Sequence, residues 1–342
     1  MATARTAIGL LAALAALAYA CTAVRADELT LYSTREANLL EPAVAAFTAA
    51  TGTKVTTVFV EDSLVKRLMS EGDNSAADVL LTIGLDKTTQ LAARGLTRAL
   101  ASPPLERAVP ANLRGGDGSQ WIALAIRPRV VFARKDDALA AITYEELTDP
   151  KWHGKLCMRP AAHQNNVALI AAYLAHHGTD ATESWLGGLK HNLAHKPAGK
   201  DNDVVREIAE GRCDIGIGNT VALAQLRDGR EGNDWRGWAE TVKAVPTAFA
   251  GGGSHVNLTG AAIARHAPHP AAARAFLEFL VTAEAQTIFS AAELEYPVLA
   301  TAKRAPIVAE IGSFAADALP IDQIASHQAA AIALIRKAGF DE

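Results

Sequence analysis

Aromatic residues are scarce in this chain of 342 residues, since Phe, Trp and Tyr together make up only 6% of it. Half of the residues are nevertheless hydrophobic, so the core must be built mainly from Ala, Leu, Val and Ile. That amount of apolar material suffices for one large or two medium domains. Beyond the N-terminal segment the chain has no low-complexity tract, so we expect no long disordered segment.

The short motifs of the common enzyme classes are also missing. The sequence has no Gly-x-Ser-x-Gly elbow, no P-loop and no His-Glu-x-x-His zinc motif. The segment Gly216-Ile217-Gly218 lacks the third glycine of a dinucleotide-binding loop. A hydrolase would need a nucleophile and a base within reach of each other, and no pattern in the sequence supplies them. We therefore expect a protein that is not an enzyme.

Long hydrophobic runs are absent, and the longest run lies at the N-terminus. Residues 8–20 form an apolar stretch of 13 residues after Arg5, which is shorter than the ~20 residues that span a bilayer. With small residues before Asp27, this pattern predicts a cleaved signal peptide over residues 1–26 and a soluble mature chain in the periplasm. Lipidation at Cys21 is the alternative, which the bulky Tyr19 disfavours.

An excess of positive charge is missing too. Removing residues 1–26 takes away Arg5 and Arg25 and no acid, so 31 basic and 37 acidic side chains remain. A net charge of −6 disfavours a nucleic-acid partner, because binding nucleic acid would require a basic face on this protein.

Cysteine is rare, and only Cys157 and Cys213 remain after the signal peptide. An even number of cysteines in an exported chain predicts a disulfide between them. Closing a loop of about 56 residues would stabilise the fold by ~4 kcal/mol. Two buried free thiols are the alternative. A metal site is disfavoured, because neither cysteine has another Cys or a His at ligand spacing.

Alternating strand and helix patterns fill the rest of the chain. Residues 29–33, 54–60 and 77–83 predict strands, with helices at 39–50, ended by Gly52, and after Ser63, which can cap the helix. Strands at 121–132, 155–158, 213–218 and 245–249 and helices at 165–176, 203–210, 270–289 (a pair) and 320–338 follow. The order predicts an α/β protein with parallel sheets flanked by helices.

We expect two lobes with a hinged cleft, and we predict that the chain crosses between them near residues 125–129 and 245–250. Lobe 1 is predicted to contain residues 27–126 and 247–300, and lobe 2 residues 127–246 and 301–342. Ligands of such sheets bind at the carboxyl ends of the strands. Polar side chains follow the predicted strands there. The candidate ligand-binding residues are Ser33, Thr34, Arg35, Glu36, Glu61, Arg127, Arg129, His163, Asn165, Asn219 and Thr220.

Each candidate has a second interpretation. Ser33, Thr34 and Arg35 can hold an anion at a helix start or simply cap the helix. Glu36, Glu61 and His163 are the candidate metal ligands, but acids at a helix start also suit the helix dipole. Arg127 and Arg129 lie on one side of a strand and can clamp an anion or form salt bridges. His163, Asn165, Asn219 and Thr220 can cap helices or contact a ligand.

Several longer segments carry a family resemblance. They read LYSTRE, SEGDNSAADVLLTIG, LTDPKWHGKLCMRP, EGRCDIGIGNT, GGGSHVNLTGAAIARHAPHP, FLEFLVTAEAQ and ELEYPVL. Together they cover nearly all of the mature chain, which resembles the ferric-iron-binding periplasmic proteins of ABC importers. The resemblance implies the type II periplasmic-binding-protein fold, delivery to an ABC permease, a monomer, and Fe³⁺ or another metal ion as ligand, with or without a synergistic anion.

The tyrosines that this family uses for iron are replaced. Where the family has a tyrosine pair after GIGNT, this chain has Val221 and Ala222, and Asn165 aligns with a further family tyrosine. Ala37 stands where the family often has another tyrosine. Fe³⁺ favours anionic oxygen such as phenolate. The tyrosines after the signal peptide are Tyr32, Tyr144, Tyr173 and Tyr296.

The importer role therefore carries over more safely than the ligand. A chelated iron, another cation held by Glu36 and Glu61, or a small organic anion held by Arg35, Arg127 and Arg129 are the alternatives. A further alternative is a ligand-sensing module that presents its ligand to a membrane receptor.

Overall fold

The computed structural model describes residues 28–61, 63–116 and 118–342. The predicted signal peptide, its cleavage before Asp27 and the alternative lipidation of Cys21 lie outside the described residues.

The strands cover most of the segments that the sequence predicts. They are β1 (Glu28–Ser33), β2 (Lys54–Phe59), β3 (Val79–Ile83), β4 (Thr97–Arg98), β5 (Arg114–Gly115), β6 (Trp121–Arg134), β7 (Ile142–Thr143), β8 (Leu156–Met158), β9 (Ile215–Asn219), β10 (Val242–Val245), β11 (Thr247–Ala248), β12 (Val256–Ala264) and β13 (Tyr296–Pro297).

The helices connect these strands and form the C-terminal region. They are α1 (Ala37–Thr51), α2 (Leu64–Glu71), α3 (Leu85–Ala93), α4 (Pro103–Ala108), α5 (Gln164–His177), α6 (Thr179–Asn192), α7 (Asp201–Ala209), α8 (Thr220–Asp228), α9 (Asn233–Glu240), α10 (Pro270–Leu280), α11 (Ala283–Glu293), α12 (Pro306–Ile311), α13 (Ile321–Ser326) and α14 (Gln328–Lys337).

The first three strands form the parallel arrangement that their order predicts. β1 lies between β2 and β3 and runs parallel to both, with Leu31 opposite Thr57 and Val79. β12 then pairs antiparallel with β3, and β6 pairs antiparallel with β12. The carboxyl ends of β1, β2 and β3 therefore share one edge, to which the loops after them belong.

The long strand β6 joins two groups of strands. Residues up to Pro128 pair with β12, and from Arg129 onwards β6 pairs with β9, which is parallel to β8. Arg129 is thus the residue at which β6 changes its partner on this path. The predicted lobe boundaries stay predictions, and the crossing predicted near residues 125–129 falls in this strand.

Three details of the prediction differ from the structure. The strand predicted at 245–249 is interrupted by Pro246, which has no N–H for the ladder, so β10 ends at Val245 and β11 pairs with β7 instead. The helix predicted at 320–338 is divided at His327 into α13 and α14. Ser63 stands at the N-cap of α2, but its side chain makes no capping hydrogen bond.

Packing places the C-terminal helices beside the second group of strands. α13 and α14 pack on α5, and α12 packs on α8. Phe47 of α1 meets Phe276 of α10 with ring centroids 4.9 Å apart, so two of the few aromatic residues fill the core beside β1. The disulfide between Cys157 and Cys213 is present, as predicted, and the free-thiol alternative is excluded.

Across the described ranges, no helix is both long enough and apolar enough to cross a bilayer.

Candidate ligand site between the strand groups

Arg129 is the centre of a buried polar cluster. Its side chain is 0% exposed, and its Nη1 donates to Asp201 Oδ2 at 2.9 Å and to Asn219 Oδ1 at 3.2 Å. Its Nη2 donates to Asn166 Oδ1. Asp201 begins α7, Asn219 is the N-cap residue of α8, and Asn166 lies in the first turn of α5. Arg129 therefore forms hydrogen bonds to residues at the N-terminal ends of three helices.

The electrostatics of this cluster favour the binding of a negatively charged group. Helix N-termini carry partial positive charge, and here three of them meet a buried guanidinium. Asp201 supplies one negative charge, which also accepts the Asn219 N–H at 2.9 Å and lies 3.5 Å from Arg159 Nη1. Burial would raise the pKa of Asp201, but the charges of Arg129 and Arg159 outweigh burial and lower it.

Arg127 lies two residues before Arg129, on the same face of β6. It is buried, its Nη2 donates to Leu258 O at 2.9 Å, and its Nε is 3.7 Å from Glu295 Oε1. Burial lowers the pKa of Arg127, and the charge of Glu295 opposes that shift. The Nε–H groups of Arg127, Arg129 and Arg159 are buried without a hydrogen-bond partner in the part of the chain that the structure describes.

Arg35, after β1, is held in a separate set of ion pairs. Its guanidinium contacts Glu295 at 2.5 Å, Glu293, and Thr259 Oγ1 at 3.1 Å. Burial raises the pKa of Glu293, whereas Arg35 and Arg127 outweigh burial at Glu295 and lower its pKa. Glu295 thus pairs with Arg35 as a carboxylate, while burial disfavours the charge of Glu293 beside it. Sequence reasoning missed both acids, because Glu293 ends an ordinary amphipathic helix and Glu295 follows two residues later.

Ser33 and Thr34 use their hydroxyls within the same loop region. Ser33 Oγ accepts the Arg35 N–H at 2.9 Å, and Thr34 Oγ1 accepts the Ile83 N–H at 2.9 Å. Both hydroxyls therefore fix the backbone at the carboxyl ends of β1 and β3.

His163 and Asn165 stand at the beginning of α5. His163 is the N-cap residue, and its Nδ1 accepts the Asn165 N–H at 3.2 Å. Burial, with the nearby charge of Arg159, lowers the pKa of His163 to about 4, so the ring is neutral at pH 7. Asn165 Oδ1 and Thr220 Oγ1, at the starts of α5 and α8, are buried and have no partner among the described residues.

Glu36 and Glu61 are placed differently from the arginines. Both side chains are exposed, and Glu36 is the N-cap residue of α1 without a capping hydrogen bond. Within the described ranges, Glu36, Glu61 and His163 do not bring their ligand atoms together around one point. Cys157, His195 and Glu207 do so, but the Cys157 sulfur is consumed by the disulfide. Among the described His, Cys, Asp and Glu side chains, no other group of three brings its ligand atoms together around one point.

Each tyrosine among the described residues has a structural role. The Tyr144 hydroxyl donates to Arg129 O at 2.6 Å and accepts the His255 N–H at 3.0 Å. Tyr173 stacks on Trp185 at 4.1 Å, and burial raises its pKa to about 12. Tyr32 bonds to Glu71, and Tyr296 donates to Gly312 O. Burial raises the pKa of all four hydroxyls, which opposes phenolate formation.

Side chains that sequence reasoning did not select complete the cluster. In the sequence, Asp201 is not distinguished from any acid in the first turn of a helix. Asn257, which lies in β12, donates from its Nδ2 to Asn219 Oδ1 at 3.1 Å. Arg159 directly follows β8, at the same sheet edge as Asn219. Its position after a predicted strand could therefore have identified it as a candidate ligand-binding residue.

A fold of two α/β strand groups that share β6, with polar loops converging where its pairing changes, is the architecture of a solute-binding protein. Residues 29–292 match the model of the family described as bacterial extracellular solute-binding protein, and the chain belongs to this family.

Relatives within the family are iron proteins by their names. Iron uptake protein A1 from Synechocystis sp. is 34% identical over 317 residues, which cover 92% of this chain and 88% of that one. The solved structure of the Bordetella ferric binding protein is 46% identical with a TM-score of 0.89, covering 92% of this chain and 100% of that one. These matches confirm the predicted resemblance and the two-lobed α/β fold.

A third comparison includes a bound ligand. A Trichodesmium protein in complex with iron and citrate ligands is 32% identical, with a TM-score of 0.86 and coverage of 92% of this chain and 99% of that one.

Proposed function

We propose that this protein is the periplasmic ligand-capturing component of an ABC importer of the iron-uptake type, and that its cargo is ferric iron complexed by a small carboxylate. The observation that carries the cargo is the pair of Arg129 and Arg159 on Asp201 at the start of α7, with Arg127 beside them on β6. The Tyr144 hydroxyl contacts this group only through the backbone of Arg129. The kinship with iron uptake proteins supports the importer role.

The chemistry of the donor atoms favours a chelate over bare Fe³⁺. A hard trivalent ion needs anionic oxygen, and the buried carboxylates of Asp201 and Glu295 are already paired with arginines. Val221 and Ala222 in the first turn of α8 have no ligand atoms. The anionic oxygens must therefore come from the chelator, whose excess negative charge then meets guanidinium groups.

Ligand capture would work by closure of the cleft. A ligand that contacts residues on both sides of β6 binds the closed form more tightly and shifts the population towards it. The closed form would then dock on the permease as a monomer. No step of this cycle changes a covalent bond, which agrees with the absence of a nucleophile–base motif from the sequence.

A second candidate cargo is an organic anion without metal. It is favoured by the buried Nε–H groups of Arg129 and Arg159, which have no hydrogen-bond partner among the described residues and can bind carboxylate or phosphate.

Thermal unfolding of the mature protein tests both candidates. We expect ferric citrate to raise the melting temperature, because a ligand at 100 times its Kd stabilises the native state by about 2.7 kcal/mol. Equal stabilisation by citrate alone would establish the second candidate. Stabilisation by Fe³⁺ with carbonate only, together with a visible phenolate absorption band, would contradict both.

A matched pair of arginine variants locates the site. Arg159→Met should weaken ferric citrate binding by tenfold or more in calorimetry, because a hydrogen bond to a charged group contributes about 1.5–3 kcal/mol. Arg212→Met, which removes an exposed arginine paired with Glu210, should bind as the wild type does. Equal effects of the two substitutions on binding would show that the arginine cluster does not bind ferric citrate.

Uptake measurements distinguish an importer component from a sensor. Deleting the gene should abolish uptake of radiolabelled ferric citrate in cells. Normal uptake combined with a lost transcriptional response would instead favour presentation of the ligand to a membrane receptor.

A further inference from the structure

Four side chains of metal-ligating type meet at the disulfide, apart from the arginine cluster. Cys157 Sγ lies 3.4 Å from His195 Nε2, and His195 Nε2 lies 3.3 Å from Glu207 Oε2. The ligand atoms of these three residues all lie within 4.8 Å of one another. Cys213 Sγ is bonded to Cys157 Sγ, so the set contains two sulfurs, one imidazole and one carboxylate.

Backbone hydrogen bonds hold these residues in addition to the bond between the sulfurs. Ala194 N donates to the backbone of β8 at 2.9 Å, so His195 lies beside this edge strand. Arg212 N donates to Glu207 O at 2.9 Å, which fixes the segment that carries Cys213 against the end of α7. Neither contact uses a sulfur atom, so opening the disulfide removes neither of them.

The distances between the ligand atoms fit a tetrahedral zinc ion. Zinc binds imidazole nitrogen and carboxylate oxygen at ~2.0–2.2 Å and thiolate sulfur at ~2.3 Å. Tetrahedral geometry then separates neighbouring ligand atoms by roughly 3.3–3.8 Å. The distance of 3.3 Å from His195 Nε2 to Glu207 Oε2 and that of 3.4 Å from Cys157 Sγ to the same nitrogen lie within this range.

His195 presents the ring nitrogen that a metal ion would need. Its Nδ1 lies 2.9 Å from the carbonyl oxygen of Lys196, which can only accept, so Nδ1 carries a proton and donates it. In the neutral ring, the Nε2 lone pair then meets Glu207 Oε2, which is also an acceptor. Two acceptors at this distance require a cation between them, either a proton or a metal ion. Metal-bound histidines usually donate their other ring N–H in this way.

The cluster is buried on its sulfur side and open on its histidine side. Cys157 is 1% exposed and Cys213 is 3% exposed, whereas the side chain of His195 is 37% exposed. A metal ion can therefore enter past His195 and reach the sulfurs. Two thiolates with an imidazole select zinc over hard cations, which prefer oxygen ligands alone.

We propose that reduction of the disulfide converts this cluster into a site for one Zn²⁺ ion. A dithiol transfers two electrons and two protons to the bond between the sulfurs, which breaks to give two thiols, while the dithiol is oxidised to its own disulfide. Zn²⁺ then displaces both thiol protons and binds the two thiolates, His195 Nε2 and Glu207 Oε2. The metal ion thereby replaces the covalent link between residues 56 positions apart.

Zinc titration of the mature protein in both redox states tests this inference. The disulfide is reduced with tris(2-carboxyethyl)phosphine, because dithiols themselves bind zinc, and calorimetry measures the affinity for Zn²⁺. We expect the reduced protein to bind one Zn²⁺ ion at least about 100-fold more tightly than the oxidised protein does, because only thiolates are zinc ligands. Equal affinities in the two redox states would overturn the inference.

Cobalt provides a spectroscopic test of the ligand set. Co²⁺ added to the reduced protein should give the ultraviolet charge-transfer band of a cobalt thiolate and the intense visible bands of tetrahedral coordination. The oxidised protein should show neither. A spectrum of the reduced protein without thiolate bands would contradict the proposed site.

Substitutions distinguish the four-ligand site from a pair of free thiols. His195→Gln and Glu207→Gln should each weaken Zn²⁺ binding to the reduced protein by at least about tenfold. Glu210→Gln, at the end of the same helix, removes a carboxylate that pairs with Arg212 and should bind Zn²⁺ as the wild type does. Circular dichroism verifies folding, and a folded ligand variant with wild-type zinc affinity would overturn the four-ligand assignment.

Discussion

His255 is a buried residue with an unusual environment. Its side chain is 1% exposed, and neither ring nitrogen has a hydrogen-bond partner among the described residues. Burial, with the charge of Arg129 nearby, lowers its pKa to about 3. The ring is therefore neutral in the native state at every pH at which the protein is expected to work.

The pH dependence of stability follows from this shift. Because the unfolded chain takes up a proton near pH 6.5 and the native chain only near pH 3, His255 makes the protein less stable as the pH falls through this window. Between pH 7.5 and pH 5 we expect this residue to cost about 2 kcal/mol. Denaturant unfolding at both pH values measures the loss.

A non-titrating variant is the control for this prediction. His255→Phe should lose about 2 kcal/mol less than the wild type over the same pH interval, whatever its stability at pH 7.5. Identical pH profiles for the two proteins would show that His255 is not the group responsible.

The short strand β8 lies at the sheet edge and is covalently linked to the segment before β9. It contains only three residues, and Cys157 at its centre lies opposite Gly216 of β9. The Cα atoms of Cys157 and Cys213 are 5.9 Å apart, and the disulfide closes a loop of 56 residues. Arg159 follows directly after β8, so the link also fixes the start of the ligand site.

Removing both sulfur atoms tests this contribution. The double variant Cys157→Ala, Cys213→Ala should lose about 4 kcal/mol of unfolding free energy, because the unfolded chain regains the entropy of the open loop. Reducing agent should destabilise the wild type by a similar amount and leave the double variant unchanged. A loss below about 1 kcal/mol would show that β8 is held without the link.

On the scale of the whole molecule, Asp322 connects two regions across a pocket of about 810 Å³, which lies between α3 on one side and α5, α13 and α14 on the other. It lies on α13, which packs on α5, and its carboxylate accepts hydrogen bonds from Gly116 N after β5 and from Trp121 Nε1 at the start of β6. A methyl group at Gly115 would lie 2.1 Å from Asp322 Oδ2, so a larger residue there would displace this carboxylate. Asp322 therefore holds together the two sides of the pocket.

Loss of this contact should favour an open conformation. We expect Asp322→Ala to weaken ligand binding about fivefold and to increase the radius of gyration in solution scattering, because the closed state loses about 1 kcal/mol. Asp234→Ala, at an exposed position on α9, is the control. Unchanged affinity and unchanged dimensions in Asp322→Ala would show that closure does not depend on this carboxylate.

Local patterns determined most of the elements. The strand–helix alternation from β1 to β3 is readable because apolar residues repeat with the period of each element and Gly52 ends α1. The disulfide could be predicted because only two cysteines follow the predicted signal peptide. The absence of family tyrosines at Val221 and Ala222 was likewise a property of the sequence alone.

Only the tertiary structure decided which polar residues work together. Arg129 and Asp201 are 72 residues apart, and Arg35 and Glu295 are 260 apart, so no local pattern connects them. Neighbouring candidates in the sequence therefore differ in the structure: Arg35 contacts two buried acids, whereas Glu36 beside it is exposed. Sequence periodicity fixes which face of an element is buried, but long-range pairing of strands decides which charges meet there.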